Sequence, residues 1–121
     1  MPYITHRTEL EPAMAQTTGW QQFNLMNKEI AAGLDAGLRL NVLTPNVATP
    51  YHYHTGCEHY MFIITGQGEL VLADGARPVA TGYMISIDPE EHHALKNVGP
   101  NNLEYLEFFI PGSGTTTILE E

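Results

Sequence analysis

The sequence predicts an all-β protein, an antiparallel sandwich or barrel of about eight or nine short strands. Short stretches of alternating or continuously apolar residues recur along the chain, and Gly, Pro and Asn residues separate them at nearly regular spacing. No stretch shows a sustained helical period. Short strands divided by turn residues in this way are typical of all-β sandwiches and barrels.

The length of the chain bounds its domain organisation. A chain of 121 residues has room for one modest hydrophobic core. Residues 1–18 contain Pro2 and Pro12 and follow neither a helical nor a strand period, so we expect an N-terminal arm or edge strand there. Residues 19–121 are expected to form a single barrel domain.

The charge and the hydropathy pattern exclude several partners. Fourteen acidic against five basic residues give a formal net charge of −9, whereas nucleic acids and anionic membranes bind basic faces. The longest apolar run, Met61–Ile64, is too short to span a bilayer, and the N-terminus lacks a signal pattern. We therefore expect a soluble, cytoplasmic protein. The single cysteine, Cys57, rules out an internal disulfide.

The first strand is expected at residues 20–26, which alternate loosely between apolar and polar side chains. Residues 27–33 follow it. They predict either one helical turn, capped by Asn27 and ended by Gly33, or a long hairpin loop.

Residues 38–43 form the clearest alternating strand. Its apolar face carries Leu38, Leu40 and Val42. Arg39 and Asn41 then fall on the other face, which we expect to be a polar outer face.

The C-terminal half supplies the remaining strands. Residues 69–73 and 77–81 predict a hairpin around Asp74-Gly75. Residues 103–110 form the last long strand, which ends at Pro111-Gly112.

The parity of this last strand is ambiguous, because both of its faces carry large apolar side chains. Placing Leu106, Phe108 and Ile110 inward keeps Glu107 out of the core. We expect this choice, since an unpaired buried charge is costly.

Four of the six histidines can converge on one point. Successive side chains of a strand point to opposite faces, so His52 and His54 share one face and can hold a metal ion. A short turn and an apolar strand then bring Glu58 or His59 back beside this pair. His93 follows a second hydrophobic strand further along the chain.

These two stretches resemble the two motifs of the cupin family. The first motif, G-x5-H-x-H-x3/4-E-x6-G, is matched by His52, His54 and Gly66. Counting back from Gly66 places His59 at the position of the usual Glu ligand. Asn46 stands where the motif begins with Gly, a tolerable exchange because Asn adopts left-handed backbone conformations more readily than most residues.

The second motif, G-x5-P-x-G-x2-H-x3-N, is matched by Gly82, His93 and Asn97 at the family spacing. Asp88 takes the Pro position and Glu90 the Gly position. The turn of the motif is therefore altered, while the spacing from His93 to Asn97 is kept.

The resemblance covers roughly residues 35–111 and implies a fold, a cofactor and a ligand set. The implied fold is an antiparallel double-stranded β-helix, the jelly-roll cupin barrel. With histidine at the usual Glu position, the chain resembles the four-histidine subgroup of small single-domain cupins, which implies one divalent transition-metal ion (Fe, Mn, Ni, Cu or Zn). The implied metal ligands are His52, His54, His59 and His93, with Glu58 as the alternative to His59.

The ligand chemistry indicates the kind of substrate. Four neutral imidazoles leave the charge of the ion uncompensated, so the site should attract a small anionic or enolisable molecule. A six-coordinate ion with four protein ligands keeps two positions open, whereas a tetrahedral zinc would be closed. We expect a metal-dependent enzyme, foremost a dioxygenase-type oxidoreductase. The alternatives are a Lewis-acid isomerase, lyase or decarboxylase, and a non-catalytic module that binds a small ligand.

Side-chain parity also predicts the pocket walls and an assembly. The residues expected to line the pocket are Met61, Ile63, Leu106 and Phe108. The opposite parity carries Tyr51, Tyr53, Tyr60 and Phe62, which would form one exposed apolar patch. Small domains seldom leave such a patch in water, so we expect a homodimer with two-fold symmetry.

Overall fold

The computed structural model describes residues 2–12 and 19–119. These residues form a short 3₁₀ helix at Arg7–Glu9 and ten β-strands. The strands are β1 (Trp20–Met26), β2 (Gly37–Leu43), β3 (His52–Thr55), β4 (Glu58–Thr65), β5 (Gln67–Leu72), β6 (Gly75–Ala80), β7 (Met84–Ile87), β8 (His93–Asn97), β9 (Leu103–Ile110) and β10 (Thr115–Ile118). No helix in this part of the chain is long and apolar enough to cross a membrane.

The strands form two five-stranded antiparallel sheets. The first sheet has the order β1-β2-β9-β4-β7 and the second the order β10-β3-β8-β5-β6. From β2 onward the chain passes repeatedly from one sheet to the other, which is the jelly-roll arrangement. The predicted all-β antiparallel fold is confirmed.

The apolar core lies between the two sheets. Its most deeply buried members are Leu43, Met61, Ile63, Leu95, Leu103 and Tyr105. They come from β2, β4, β8 and β9 and therefore from both sheets. Burying one such side chain stabilises the fold by roughly 1.5–3 kcal/mol, so this contact between the sheets is a main source of stability.

The predicted parity of β9 is wrong. Tyr105, Glu107 and Phe109 point into the space between the sheets, while Phe108 is 36% exposed on the opposite face. The expectation failed because it treated an inward Glu107 as an unpaired charge. Its carboxylate is instead hydrogen-bonded on both oxygens, as described below, so its burial is tolerated.

In the neighbouring strand β2, too, the face that points inward is the opposite of the predicted one. Asn41 is fully buried and Arg39 is half-buried on the inner face, so neither lies on the predicted polar outer face. The register of the two strands explains why both differ from the prediction together. Arg39 pairs with Glu107 across the ladder, and Asn41 pairs with Tyr105. The apolar residues of β2 that were expected inward lie on the opposite face.

The predicted aromatic patch is also not continuous. Tyr51 and Tyr53 belong to the segment of β3 in the second sheet, whereas Tyr60 and Phe62 belong to β4 in the first. The chain changes sheets between these strands. The ring of Tyr53 stacks on that of His92 at a centroid distance of 4.8 Å.

All four Gly positions of the two motifs have left-handed backbone, and Gly82, with φ 89°, is one of them. Asn46 has φ 69° and Glu90 has φ 64°, which is where the motifs have Gly. Gly66 has φ 114°, and a Cβ there would lie 2.9 Å from the carbonyl oxygen of Asn102. Gly66 is therefore required on two grounds, backbone conformation and space.

The loop between β1 and β2 and the N-terminal arm are the two remaining segments with a predicted structure. Residues 27–33 form no regular helix, but they contain the predicted single turn capped by Asn27. Asn27 Oδ1 accepts hydrogen bonds from the backbone N–H groups of Glu29 and Ile30 (3.0 and 3.1 Å), and the backbone N–H of Ala31 donates to the carbonyl oxygen of Asn27 at 2.9 Å. Of the predicted arm at residues 1–18, Met1 and residues 13–18 lie outside the described residues. Arg7 in the described part donates to Glu104 Oε1 at 2.7 Å.

Candidate metal centre

A cavity of about 330 Å³ opens between the two sheets. Its polar end is formed by four histidines, and its other walls are largely apolar. The residues that line it are Trp20, Gln22, Arg39, Thr49, Pro50, His52, His54, His59, Met61, His93, Leu95, Tyr105, Glu107, Phe109, Thr116 and Ile118.

Three of the histidines form a cluster on the second sheet. His52 and His54 alternate along β3, and His93 pairs directly with His52 across the ladder from β8. One ring nitrogen from each of the three lies within 4.8 Å of the others. The structure therefore brings together three of the four predicted ligands at a distance that suits one ion.

Each ring of this cluster is held through its Nδ1 atom. The partners of Nδ1 are the carbonyl oxygen of Pro50 for His52 (2.5 Å), Thr116 Oγ1 for His54 (2.9 Å) and the carbonyl oxygen of Glu91 for His93 (2.8 Å). A bond to a carbonyl oxygen places the proton on Nδ1 and leaves the lone pair on Nε2. His52 and His93 therefore present Nε2 to the cavity in the form that binds metal.

His59 approaches from the first sheet in the reverse orientation. Its Nε2 lies 2.8 Å from Glu107 Oε2, and its ring centroid is 4.5 Å from that of His54 and 5.3 Å from that of His93. The ring also stacks on Phe109, with an angle of 5° between the planes. His59 therefore stands beside the cluster with Nδ1 as its remaining nitrogen.

The residues fit a metal ion. Within the described part of the chain, Nε2 of His54, Nε2 of His93 and Nδ1 of His59 are buried without a hydrogen-bond partner. Buried polar atoms in folded proteins are nearly always paired, and each unpaired one is costly. Unpaired imidazole nitrogens directed at one cavity are the donor set that first-row transition metals prefer.

Burial keeps two of these rings neutral. It lowers the pKa of His54 to about 3, with further lowering by the neighbouring His59, and it lowers the pKa of His93 to about 4. Burial also lowers the pKa of His52. Neutral imidazole is the form that coordinates a metal, so the site is prepared for binding at neutral pH.

Glu107 lines the cavity, whereas the sequence predicted that it faces away from the core. Burial alone would raise its pKa, but the hydrogen bond and charge of His59, the charge of Arg39 and the hydrogen bond of Asn41 together lower the pKa to about 2. Asn41 Nδ2 donates to Glu107 Oε1 at 2.6 Å, and Asn41 Oδ1 accepts from Trp20 Nε1 at 2.9 Å. β9 carries two carboxylates on opposite faces, Glu104 and Glu107, so either orientation of the strand turns one of them inward. That was the signal that could have revealed an inward carboxylate.

Glu58, the alternative ligand, is exposed at the start of β4. Its carboxylate accepts a hydrogen bond from the hydroxyl of Tyr60. Adjacent residues of a strand face opposite ways, and His59 faces the cavity, so Glu58 points away from it.

The pocket walls differ from the prediction in three of four residues. Met61 lines the cavity as expected, whereas Ile63 lies deeper in the core. Leu106 and Phe108 lie on the opposite face of β9 because its parity is inverted. The apolar walls come instead from Trp20, Leu95, Tyr105 and Phe109.

Comparison with known families agrees with this architecture. Residues 40–109, more than half of the chain, match the family model described as Cupin domain. The chain belongs to the cupin family. No match was found among curated proteins.

Several solved cupin structures are similar to this chain. The polyketide cyclase RemF of Streptomyces resistomycificus is 23% identical, with a TM-score of 0.83 over 100% of this chain and 89% of its own. A predicted oxalate decarboxylase of Thermotoga maritima is 23% identical, with a TM-score of 0.78 over 90% and 99%. A sugar phosphate isomerase of Silicibacter pomeroyi is 18% identical, with a TM-score of 0.73 over 85% and 67%. At these identities the likeness shows the fold alone.

The lowered histidine pKa values predict an acid-sensitive metal-free protein. The unfolded chain takes up protons on these rings near pH 6.5, but folded His54 and His93 do so only near pH 3 and pH 4. Between these limits the unfolded state binds more protons, so stability falls as the pH falls. We expect the melting temperature of chelator-treated protein to drop by on the order of 5 °C between pH 7 and pH 5.

Scanning calorimetry checks this expectation against two variants. His93→Asn should flatten the pH dependence, whereas His92→Asn, at an exposed neighbouring position, should leave it unchanged. A pH dependence that is equal in the two variants would contradict the role of the buried rings.

Proposed function

We propose that this cupin is a metal-dependent enzyme with a mononuclear centre at His52, His54, His59 and His93. The observation that carries the proposal is the cluster of His52, His54 and His93, whose ring nitrogens lie within 4.8 Å of one another, together with three buried, unpaired ring nitrogens, on His54, His59 and His93, among the residues that line the same cavity. Three such atoms without partners are hard to reconcile with a purely structural site. A bound divalent transition metal would supply Lewis acidity and, for iron, manganese or copper, redox chemistry.

The chain's own residues orient the ligands and exclude water. The carbonyl groups of Pro50 and Glu91 fix two rings of the cluster, and Glu107 fixes His59. Trp20, Met61 and Phe109 cover the rest of the cavity with apolar surface. Such walls favour a small aromatic or short hydrophobic substrate and protect a reactive intermediate from water.

We propose a small anionic or enolisable molecule as the substrate. Glu107 is the one carboxylate among the residues that line the cavity, and both its oxygens are engaged. The positive charge of an ion at the histidines is therefore only partly compensated. A substrate that binds as an enolate or a carboxylate completes the neutralisation.

For the reaction we propose dioxygenase-type oxidation. Glu107 is held ionised by two hydrogen bonds and has a low pKa, so it is a weak base for substrate protons. Tyr105 is fully buried, which raises its pKa well above the usual value. Neither Glu107 nor Tyr105 is thus a free acid–base group of suitable pKa in the cavity. A redox reaction at the metal requires such a group less than the alternative reactions do.

A Lewis-acid isomerase, lyase or decarboxylase is the second candidate. It is favoured by the pair formed by His59 and Glu107, which lines the cavity and is able to relay a proton in spite of the low carboxylate pKa. Structural neighbours that share the fold include a cyclase, an isomerase and a predicted decarboxylase, so the fold itself accommodates such reactions.

Oxygen consumption separates these candidates. Protein loaded with iron, manganese or copper is expected to consume dioxygen in the presence of some members of a panel of β-diketones, α-keto acids and catechols, while zinc-loaded protein is not. Conversion of the same compounds under anaerobic conditions would instead support the Lewis-acid reaction. Binding without conversion under either condition would leave a non-catalytic binding module and contradict the proposal of an enzyme.

The ligand assignment predicts different metal contents for two neighbouring variants. His59→Ala should lower metal affinity by about tenfold or more, because a buried ligand atom is lost. Glu58→Ala is the matched control and should bind metal as the unmodified protein does, since Glu58 is exposed and points away from the cavity. Metal titration against a chromophoric chelator measures both affinities.

The reverse result, with full affinity in His59→Ala and loss in Glu58→Ala, would overturn the four-histidine assignment. Full affinity in both variants would reduce the centre to the cluster of His52, His54 and His93.

We further propose that the protein is a homodimer formed through the outer face of the first sheet. Phe62, Met84, Phe108 and Ile110 are 38%, 58%, 36% and 46% exposed there, on the adjoining strands β4, β7 and β9. A second copy is the occupant that suits this face, because two-fold pairing would remove these four apolar side chains of adjoining strands from water.

Light scattering at micromolar concentration should give twice the chain mass of 13.4 kDa. A Met84→Glu variant should be a monomer, because two-fold pairing would place like charges in the interface. A concentration-independent monomer of the unmodified protein would contradict the proposal.

A further inference from the structure

A second cavity of about 260 Å³ adjoins the metal cavity. It is enclosed by the loop between β1 and β2 and by the loop that follows β9. Arg39 and Phe109 line both cavities. The Arg39–Phe109 pair therefore forms the partition between the histidines and this second space.

The guanidinium of Arg39 is held in position but has no hydrogen-bonded ion-pair partner among the described residues. Its Cζ atom lies 4.7 Å from the ring centroid of Phe109, which fixes the group by a cation–π contact. Among the described residues it makes no hydrogen bond and no ion pair. Glu107, its partner in the ladder, is already bound by Asn41 and His59.

An unpaired, half-buried guanidinium is an unusual feature in this chain. The protein has five basic residues against fourteen acidic ones, yet Arg39 and Lys28 both line the second cavity. The two acidic residues of that cavity, Glu29 and Asp35, are exposed and form no ion pair with either. Arg39 is thus the one half-buried charge of the second cavity, and its five N–H donors in a planar fork match a carboxylate.

We propose that the second cavity is a subsite for the anionic end of the substrate, in which Arg39 binds a carboxylate while the other end of the molecule reaches the histidines past Phe109. This inference rests on the proposed function and makes it more specific. The substrate is then a two-ended molecule, with a metal-chelating enol or diol at one end and a carboxylate at the other. Arg39 is its specificity-determining residue.

The test compares two probes that share one chelating end. Catechol offers the diol alone, and 3,4-dihydroxybenzoate adds a carboxylate on the far side of the ring. Zinc-loaded protein is used because zinc is redox-inert, and calorimetry measures both dissociation constants. The added carboxylate also changes the acidity of the diol, so the ratio of the two constants is compared between variants rather than interpreted alone.

Arg39→Gln should weaken binding of 3,4-dihydroxybenzoate by about tenfold or more, because a charge-assisted contact is lost, and change catechol binding by about twofold at most. Arg77→Gln is the matched control, since Arg77 is exposed on β6 and lies near Asp74 alone. It should keep the preference of the unmodified protein. Ser113→Phe, in the exposed loop that lines only the second cavity, should also weaken the carboxylate probe selectively.

An unchanged preference in Arg39→Gln would overturn the subsite, and so would the absence of saturable binding of both probes. Metal content, measured on the same samples, shows whether the proposed function has failed instead. If the protein binds no metal, titration of the metal-free protein with benzoate tests Arg39 directly. Equal benzoate affinity in the Arg39→Gln and Arg77→Gln variants would then overturn the subsite.

Discussion

The structure depends on the burial of one carboxylate, that of Glu107 on the central strand β9. Asn41 and His59 satisfy its two oxygens from the strands on either side, β2 and β4. A buried carboxylate with these hydrogen-bond partners is tolerated, whereas an unpaired one strongly destabilises the fold. Removing either partner would therefore lower the stability of the protein. This network sets which face of β9 points inward, and through the ladder it sets the faces of β2 and β4.

The same network makes the metal centre asymmetric. The cluster of His52, His54 and His93 is held through Nδ1 by backbone carbonyls and Thr116, whereas His59 is held through Nε2 by a carboxylate. A carboxylate on the far nitrogen raises the basicity of an imidazole and fixes its tautomer. In the proposed four-histidine centre, His59 would therefore be the ligand whose basicity the protein adjusts, and the other three would be fixed mainly in orientation.

Most of the fold and the histidine set could be predicted from the sequence because they follow from local rules. Turn residues divide the strands, and parity places His52 beside His54. Parity in β2 and β9 could not be predicted. β9 has large apolar side chains on both faces, and in β2 the face that lines the cavity is the polar one, with Arg39 and Asn41. Which face of β9 points inward depends on whether Glu107 can form hydrogen bonds with Asn41 and His59. These partners lie 66 and 48 residues away along the chain. A pairing at that separation is visible only once the register of the sheet is known.

The inward orientation of Arg39 in β2 and of Glu107 in β9 also determines which charges line the cavity. Had Arg39 and Glu107 faced outward, the cavity between the sheets would have had no acidic residue and no arginine among the residues that line it. With both facing inward, the carboxylate is engaged by neighbouring side chains and the guanidinium is left free. The cavity then holds one carboxylate and one guanidinium inside a chain whose formal charge is −9. Since the overall charge repels anions at long range, recognition of an anionic substrate has to come from short-range contacts within the cavity. Arg39 and the histidine centre are the groups placed to make them.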